Sequence, residues 1–196
     1  MRSLTEIKFN RLGTISGNDN FGLVTLTDMS ESAGISFVCD DMSMRQIGLR
    51  LSGNGECGRM LPEVLLGIVR GAFDVTGFRI VVNALVDGEY KAKLITVANY
   101  GGIDIRLSDA VVLSLASEIP IYIDSVLFLQ QAVPFDRHSE RLSIPINSLP
   151  KARLEKELQK AIDQEDYRLA SNINEELKRR GGKEEDMSHI KEDKRE

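Results

Sequence analysis

A chain of 196 residues, 42% apolar and 28% charged, has a globular composition, with room for one ordinary domain and an appendage. Its formal net charge of -5 gives it no overall basic footprint of the kind nucleic-acid binders carry, although a local patch can sit on an acidic protein. No apolar run approaches the ~20 residues that span a bilayer, no apolar signal segment precedes Glu6, and Cys39 and Cys57 have neither CxxC spacing nor nearby histidines, so a cytoplasmic protein with reduced thiols and no membrane contact is expected.

Taken in order, Leu4 to Leu12 alternates loosely and reads as a strand, and Gly13 to Asn20 is turn chemistry. Phe21 to Leu26 and Gly34 to Val38 are short β-type runs around a polar loop. Asp40 or Asp41 is placed to cap a helix reaching about Leu51, with Met44, Ile47, Leu49 and Leu51 for its buried side. Leu61-Pro62-Glu63 opens a second helix, since proline is harmless in the first turn. Val64, Leu65, Ile68, Val69 and Phe73 form its apolar face. Phe78 to Val86 and Glu89 to Ala98 are β-rich runs joined by Asp87-Gly88, a pair that suits a two-residue hairpin turn with positive φ at both positions.

Ile103 to Arg106 is another short strand. Ser108 then serves as an N-cap, with Asp109 in the first turn of a helix over Ala110 to Ser117. Pro120 stops that helix, Ile121 to Ile123 is a buried strand, and Val126 to Ala132 is a short helix. The order predicts an α+β fold, a mixed β-sheet with packed helices, over residues 1–132. The prolines 134, 145 and 150 mark residues 133–150 as a linker, with an extended piece at Leu142 to Ile146. Residues 151–180 form a C-terminal helical hairpin with a narrow apolar stripe on each helix. Its break falls near Asp163 to Asp166, where Asp163 is the expected cap, and Gly181-Gly182 ends it. Residues 181–196 form a charged tail expected to be disordered.

The chain has two histidines, His138 in the linker and His189 in the tail, and neither is placed for a pre-organised site. There is no P-loop and no dinucleotide fingerprint, so no nucleotide or organic cofactor is expected. The dense polar cluster is Asp104-Ile-Arg-Leu-Ser-Asp109. Asp104 and Arg106 share one side of a strand, and Ser108 and Asp109 follow at a strand-to-helix junction, where a helix N-terminus favours anions. Arg106 offers a bidentate phosphate contact. Asp104 and Asp109 are the candidate ligands for a divalent cation, Mg2+ or Mn2+, that would activate water. The competing structural reading has Ser108 as a cap, Asp109 on the helix dipole and Arg106 paired with a carboxylate to hold the junction.

That run, with Ile119-Pro-Ile-Tyr-Ile123 after it and Val86-Asp-Gly-Glu-Tyr-Lys-Ala92 before it, resembles the signature of the bifunctional nuclease domain family over about Phe21 to Gln131. The resemblance implies hydrolysis of DNA or RNA, with Asp104, Arg106, Ser108 and Asp109 as catalytic residues. Three places depart from the family pattern: Leu107 replaces a proline, Met44-Arg45-Gln46 replaces a Glu-Ala pair, and Arg59 to Val64 lacks a histidine and an aspartate. Leu154, Leu158, Ala161, Ile162, Asp166, Tyr167, Ala170, Ile173 and Leu177 have spacings that resemble the UVR motif, the helical hairpin of excision-repair proteins and of adaptors of Clp proteases. This second resemblance implies a protein partner, or a homo-oligomer, bound through Leu154, Leu158, Ile162, Tyr167, Ala170, Ile173 and Leu177. A hairpin this short buries little surface alone, which agrees, although its stripe can also dock on its own domain. Two readings follow: a metal-assisted nuclease, and a non-catalytic oligomeric adaptor that recruits a partner through the hairpin.

Overall fold

The computed structural model describes residues 3–15, 18–53, 55–96, 101–136, 146, 149 and 151–192, without the side chains of 15, 18–20 and 181–192. The chain divides into two compact units: Met1–Val86 with Tyr90–Ile144, and Asp87–Glu89 with Pro145–Glu196.

The first unit is α+β, as the element order predicts. It holds β1 (Leu4–Ile15), β2 (Asn18–Asp28), β3 (Ala33–Asp40), α1 (Asp41–Leu51), α2 (Leu61–Ala72), β4 (Arg79–Val86), β5 (Glu89–Ile95), β6 (Ile103–Arg106), α3 (Leu107–Ser117), β7 (Ile121–Asp124), α4 (Ser125–Gln131) and β8 (Val133–Pro134), with a 3-10 turn at Gly55–Arg59. Among the described residues the strands form one eight-stranded mixed sheet in the order β6-β5-β4-β7-β1-β2-β3-β8. β1 runs antiparallel to β2, and β2 to β3. β7 joins the two halves, antiparallel to β1 and parallel to β4. The Asp87-Gly88 turn has φ of 50° and 76°, the double positive φ expected of that pair.

The core lies between the sheet and α3. Leu107, Ala110, Val111 and Val112 of α3 are buried, as are Val24, Ile80, Ile121 and Ile123 of the strands. A helix apolar on most sides belongs inside, and α1 and α2 both pack on α3. In α1, Ile47 is fully buried, a placement that contributes roughly 1.5–3 kcal/mol.

Several expectations are corrected. Gly13 to Asn20 is not a long turn, because β1 continues to Ile15 and β2 begins at Asn18; cross-strand pairing outweighs local turn propensity there. Leu51 is exposed rather than buried; it is the last residue of α1. Val133 and Pro134, read as the start of a linker, form β8, which pairs with β3 at Gly34↔Val133 and Ala33↔Pro134, and Arg11 stacks 5.4 Å over the Phe135 ring. Proline is tolerated there because β8 is an edge strand. The expected extended piece at Leu142 to Ile146 lies, apart from Ile146, outside the described residues.

The largest correction concerns α2. Leu66 is buried and Val69 half-buried, but Leu61, Val64, Leu65, Ile68 and, beyond the helix end, Phe73 are exposed. The polar residues of α2 hold it to the domain instead. Glu63 pairs with the buried Arg50 of α1 at 2.7 Å, and Arg70 Nη2 donates to the Ser117 carbonyl at 2.9 Å. A periodic apolar stripe shows that a helix has two sides; which side faces the core depends on contacts made from far away in the sequence.

The second unit contains α5 (Lys151–Asp163) and α6 (Tyr167–Glu192), which pack against each other. Leu154, Ala161 and Ile173 are buried, Leu158, Ala170 and Leu177 half-buried, and Ile162 and Tyr167 exposed. The capping residue of α6 is Asp166, whose carboxylate accepts from Leu169 N–H at 3.0 Å, whereas Asp163 accepts from Gln159 within α5. Asp166 immediately precedes the first residue of α6, where a cap must lie. Gly181-Gly182 does not end α6, which runs to Glu192: a glycine costs about 1 kcal/mol in a helix, and the Lys- and Glu-rich segment beyond has good helix propensity.

Candidate functional site

β6 feeds directly into α3, and the junction presents Arg106. It is the last residue of β6 and, with extended backbone (φ -65°, ψ 141°), the residue that opens α3. α3 therefore starts at Leu107, one position before the expected cap. Ser108 lies within its first turn and is buried, so it does not cap the helix.

Two of the four predicted residues, Arg106 and Asp109, pair with each other here. Asp109 accepts from Arg106 with both oxygens, from Nε at 2.7 Å and Nη2 at 3.0 Å. Asp104 goes elsewhere. Opposite Lys93 in the β5–β6 register, it pairs with that ammonium at 2.9 Å and is 88% exposed. Arg106 instead gains a partner not foreseen as part of the site, Asp40, whose carboxylate accepts from Nη1 at 3.0 Å. Asp40 is also the N-cap of α1, accepting from Ser43 N–H at 2.7 Å. The Arg106 guanidinium thus links the N-termini of α1 and α3.

The electrostatics follow from these contacts. The Ser43 N–H bond holds the Asp40 carboxyl below its ordinary range; partial burial opposes this, and Arg106 reinforces it. The bonds and charge of Asp109, then the charge of Asp40, raise the Arg106 pKa above its already high value despite partial desolvation. All three groups are open to water, with side-chain exposures of 59% for Arg106, 42% for Asp40 and 45% for Asp109. Three of the five guanidinium N–H donors are taken in these bonds, which leaves two for a ligand oxygen. Lys91 lies opposite Arg106 in register, so two cations sit side by side on one face of the ladder.

Asp109 also lines an open pocket of ≈ 360 Å³ with Met42, Ser43, Gln46, Met60, Leu61, Pro62 and Val112. Its wall is mostly apolar. Gln46 lends its side-chain oxygen to Arg50 at 2.8 Å, which keeps its amide N–H groups as donors. Apart from Val112 of α3, these pocket residues come from α1 and from the start of α2 with Met60 before it, which nothing in the local sequence around Asp109 announces.

The expected Asp104–Asp109 metal pair does not fit a divalent ion. Each carboxylate faces a protein cation rather than the other carboxylate. Among the described residues, no group of three or more His, Cys, Asp and Glu side chains comes together. His138 lies outside the described residues, as does the side chain of His189. No helix among the described residues is long and apolar enough to cross a membrane.

Compared with known families, residues 24–136 match the one described as the bifunctional nuclease domain. No curated protein matches the chain. The family match spans β2 to β8, contains the Asp40–Arg106–Asp109 cluster and the pocket beside it, and covers more than half of the sequence: the chain belongs to the bifunctional nuclease domain family.

Proposed function

We propose that the first unit hydrolyses phosphodiester bonds of DNA or RNA, with Arg106 as the group that receives the phosphate. The observation that supports this most is the geometry of Arg106, a guanidinium fixed by a fork to Asp109 and a third bond to Asp40, yet open to solvent beside an apolar pocket. Pinned in this way, the fork loses little freedom when a phosphate oxygen takes its remaining donors, and it is already oriented toward the charge that grows as water attacks phosphorus. Lys91 stands opposite Arg106 on the same ladder, a second cation within reach of a bound strand. Asp40 and Asp109 position the arginine. With its pKa held down, Asp40 is a poor proton acceptor. The pocket suits the apolar face of a base adjoining the bound phosphate. No step is assigned to Mg2+ or Mn2+, because the carboxylates here are committed to cations of the protein itself.

The second unit carries the UVR-like reading, a protein-interaction hairpin. Support comes from the apolar side chains left outside: Tyr167 is 71% exposed, and Ile162 and Leu169 are exposed near the same bend. On this reading the buried stripe of Leu154, Ala161 and Ile173 holds the hairpin together and the bend meets the partner. This arrangement also fits the non-catalytic adaptor, and catalysis decides between the two.

The test is cleavage of labelled single- and double-stranded DNA and RNA by the purified chain, with Mg2+, with Mn2+ and with EDTA. Arg106→Ala and Asp109→Asn, prepared in parallel, should lose roughly 10²–10³-fold in turnover, the usual cost of one pre-organised charge donor. Equal cleavage by wild type and both variants would mean that the nuclease is a contaminant or that the site lies elsewhere.

A further inference from the structure

The outward face of α2 borders the pocket beside Asp109 through Leu61. The outward residues of this helix are Leu61, Val64, Leu65 and Ile68, spaced 3, 1 and 3 so that they fall on one face. None is charged. The two charged residues of the helix, Glu63 and Arg70, point their bonds back into the unit, to Arg50 and to the Ser117 carbonyl. Gly67 and Gly71 have nothing within 4 Å of the place a Cβ would take, so a second backbone can approach closely. The apolar surface continues past the helix: Phe73 is 67% exposed, and Met42, also 67% exposed, shares the pocket wall with Leu61.

We propose that this face is a homodimer interface, the α2 stripe of one copy packing antiparallel on the α2 stripe of a second copy about a two-fold axis. Size and charge argue for that occupant. Six large, half- to two-thirds-exposed apolar side chains offer on the order of several hundred Å² per copy, toward the ~800 Å² per partner of a standard interface, and a patch of that size on a monomer often marks a contact site. Two copies that each carry -5 repel over most of their surface, and an uncharged stripe is where they can touch. An isologous contact needs only this one patch, facing itself. Antiparallel packing also sets the positive end of each α2 dipole against the negative end of the other. A nucleic acid would find no cation on the stripe. α2 itself carries one glutamate and one arginine, not the Lys- and Arg-rich polar face of helices that lie on anionic lipid.

Sedimentation velocity of the full chain across a concentration series tests this. Wild type should sediment at twice the chain mass. Leu65→Glu and Ile68→Glu should each weaken association by roughly 30-fold or more, as loss of a central hot-spot side chain does. Circular dichroism should stay unchanged, because neither side chain is buried in the single chain. Ile68→Cys in a Cys57→Ser background should form a disulfide-linked dimer on mild oxidation. Tyr167→Glu, at the bend of the hairpin, should leave the dimer intact. A monomeric wild type at tens of micromolar, dimers that persist in both glutamate variants, dimers lost only with Tyr167→Glu, or a monomer that floats with phosphatidylcholine or phosphatidylserine vesicles would each overturn the proposal.

Discussion

At the scale of single residues, carboxylates do most of the local structuring. Asp28 at the end of β2 shows how. One oxygen accepts from the backbone N–H groups of Ser32 and Ala33, the other from the hydroxyls of Ser30 and Ser32. Burial alone would raise its pKa, but these bonds together outweigh it and bring it to about 2 from 3.8. A depressed folded pKa stabilises the fold above the unfolded value, and that contribution is lost as pH falls through the folded one. Asp28→Ala should therefore cost about 1 kcal/mol at neutral pH. In urea melts the gap between wild type and variant should close between pH 4 and pH 2; a gap that stays constant over that range would rule the carboxylate out. At the candidate site, the sequence pairs Arg106 with a carboxylate without saying which; in the structure it is Asp109, three residues on. Asp40 was legible only as a helix cap. Its bond to Arg106 crosses 66 positions, and no local pattern announces such a contact. Asp104 shares a strand side with Arg106, as its spacing requires, yet the cross-strand register delivers it to Lys93.

Among elements, type was easier to read than orientation. The hairpin at Asp87-Gly88, the helix opened by Asp40 and the strand after Pro120 all follow from capping, turn and breaker chemistry. α2 was recognised as a helix and given the wrong inner face, because Val64, Leu65 and Ile68 look like core residues until Glu63 and Arg70 find partners on α1 and α3. The C-terminal hairpin divides the residues of its apolar stripe between inside and outside. Ile173 is 1% exposed, so Ile173→Ala should destabilise the hairpin by about 2–5 kcal/mol, whereas Tyr167→Ala should stay within about 0.5 kcal/mol. Thermal melts followed by helical circular dichroism separate the two; equal losses would show that the stripe and the bend have been assigned to the wrong sides.

At the scale of the molecule, the α+β class follows from the order of strands and helices, but the strand order in the sheet does not. Sequence neighbours pair within β1-β2-β3 and β4-β5-β6, and reading them stops there. The four residues of β7 connect what would otherwise be separate ladders, β6-β5-β4 and β1-β2-β3-β8. Ile121 and Ile123 of that strand are buried. Ile123→Ala should cost about 2–5 kcal/mol, and probes placed on β2 and on β5 should lose structure together in a single denaturant transition. Two separated transitions in the wild type would show that the halves are stable apart.

The late position of β7 in the chain also matters while the protein is being made. Translation proceeds from the N-terminus, so β1 and β4 leave the ribosome with one flank each unpaired, and they stay so until Ile121–Asp124 follows. Open strand edges invite pairing with other nascent chains. A premature stop upstream of Pro120 would yield two such edges and nothing to close either, a product fit for inclusion bodies or proteolysis rather than for a smaller working protein.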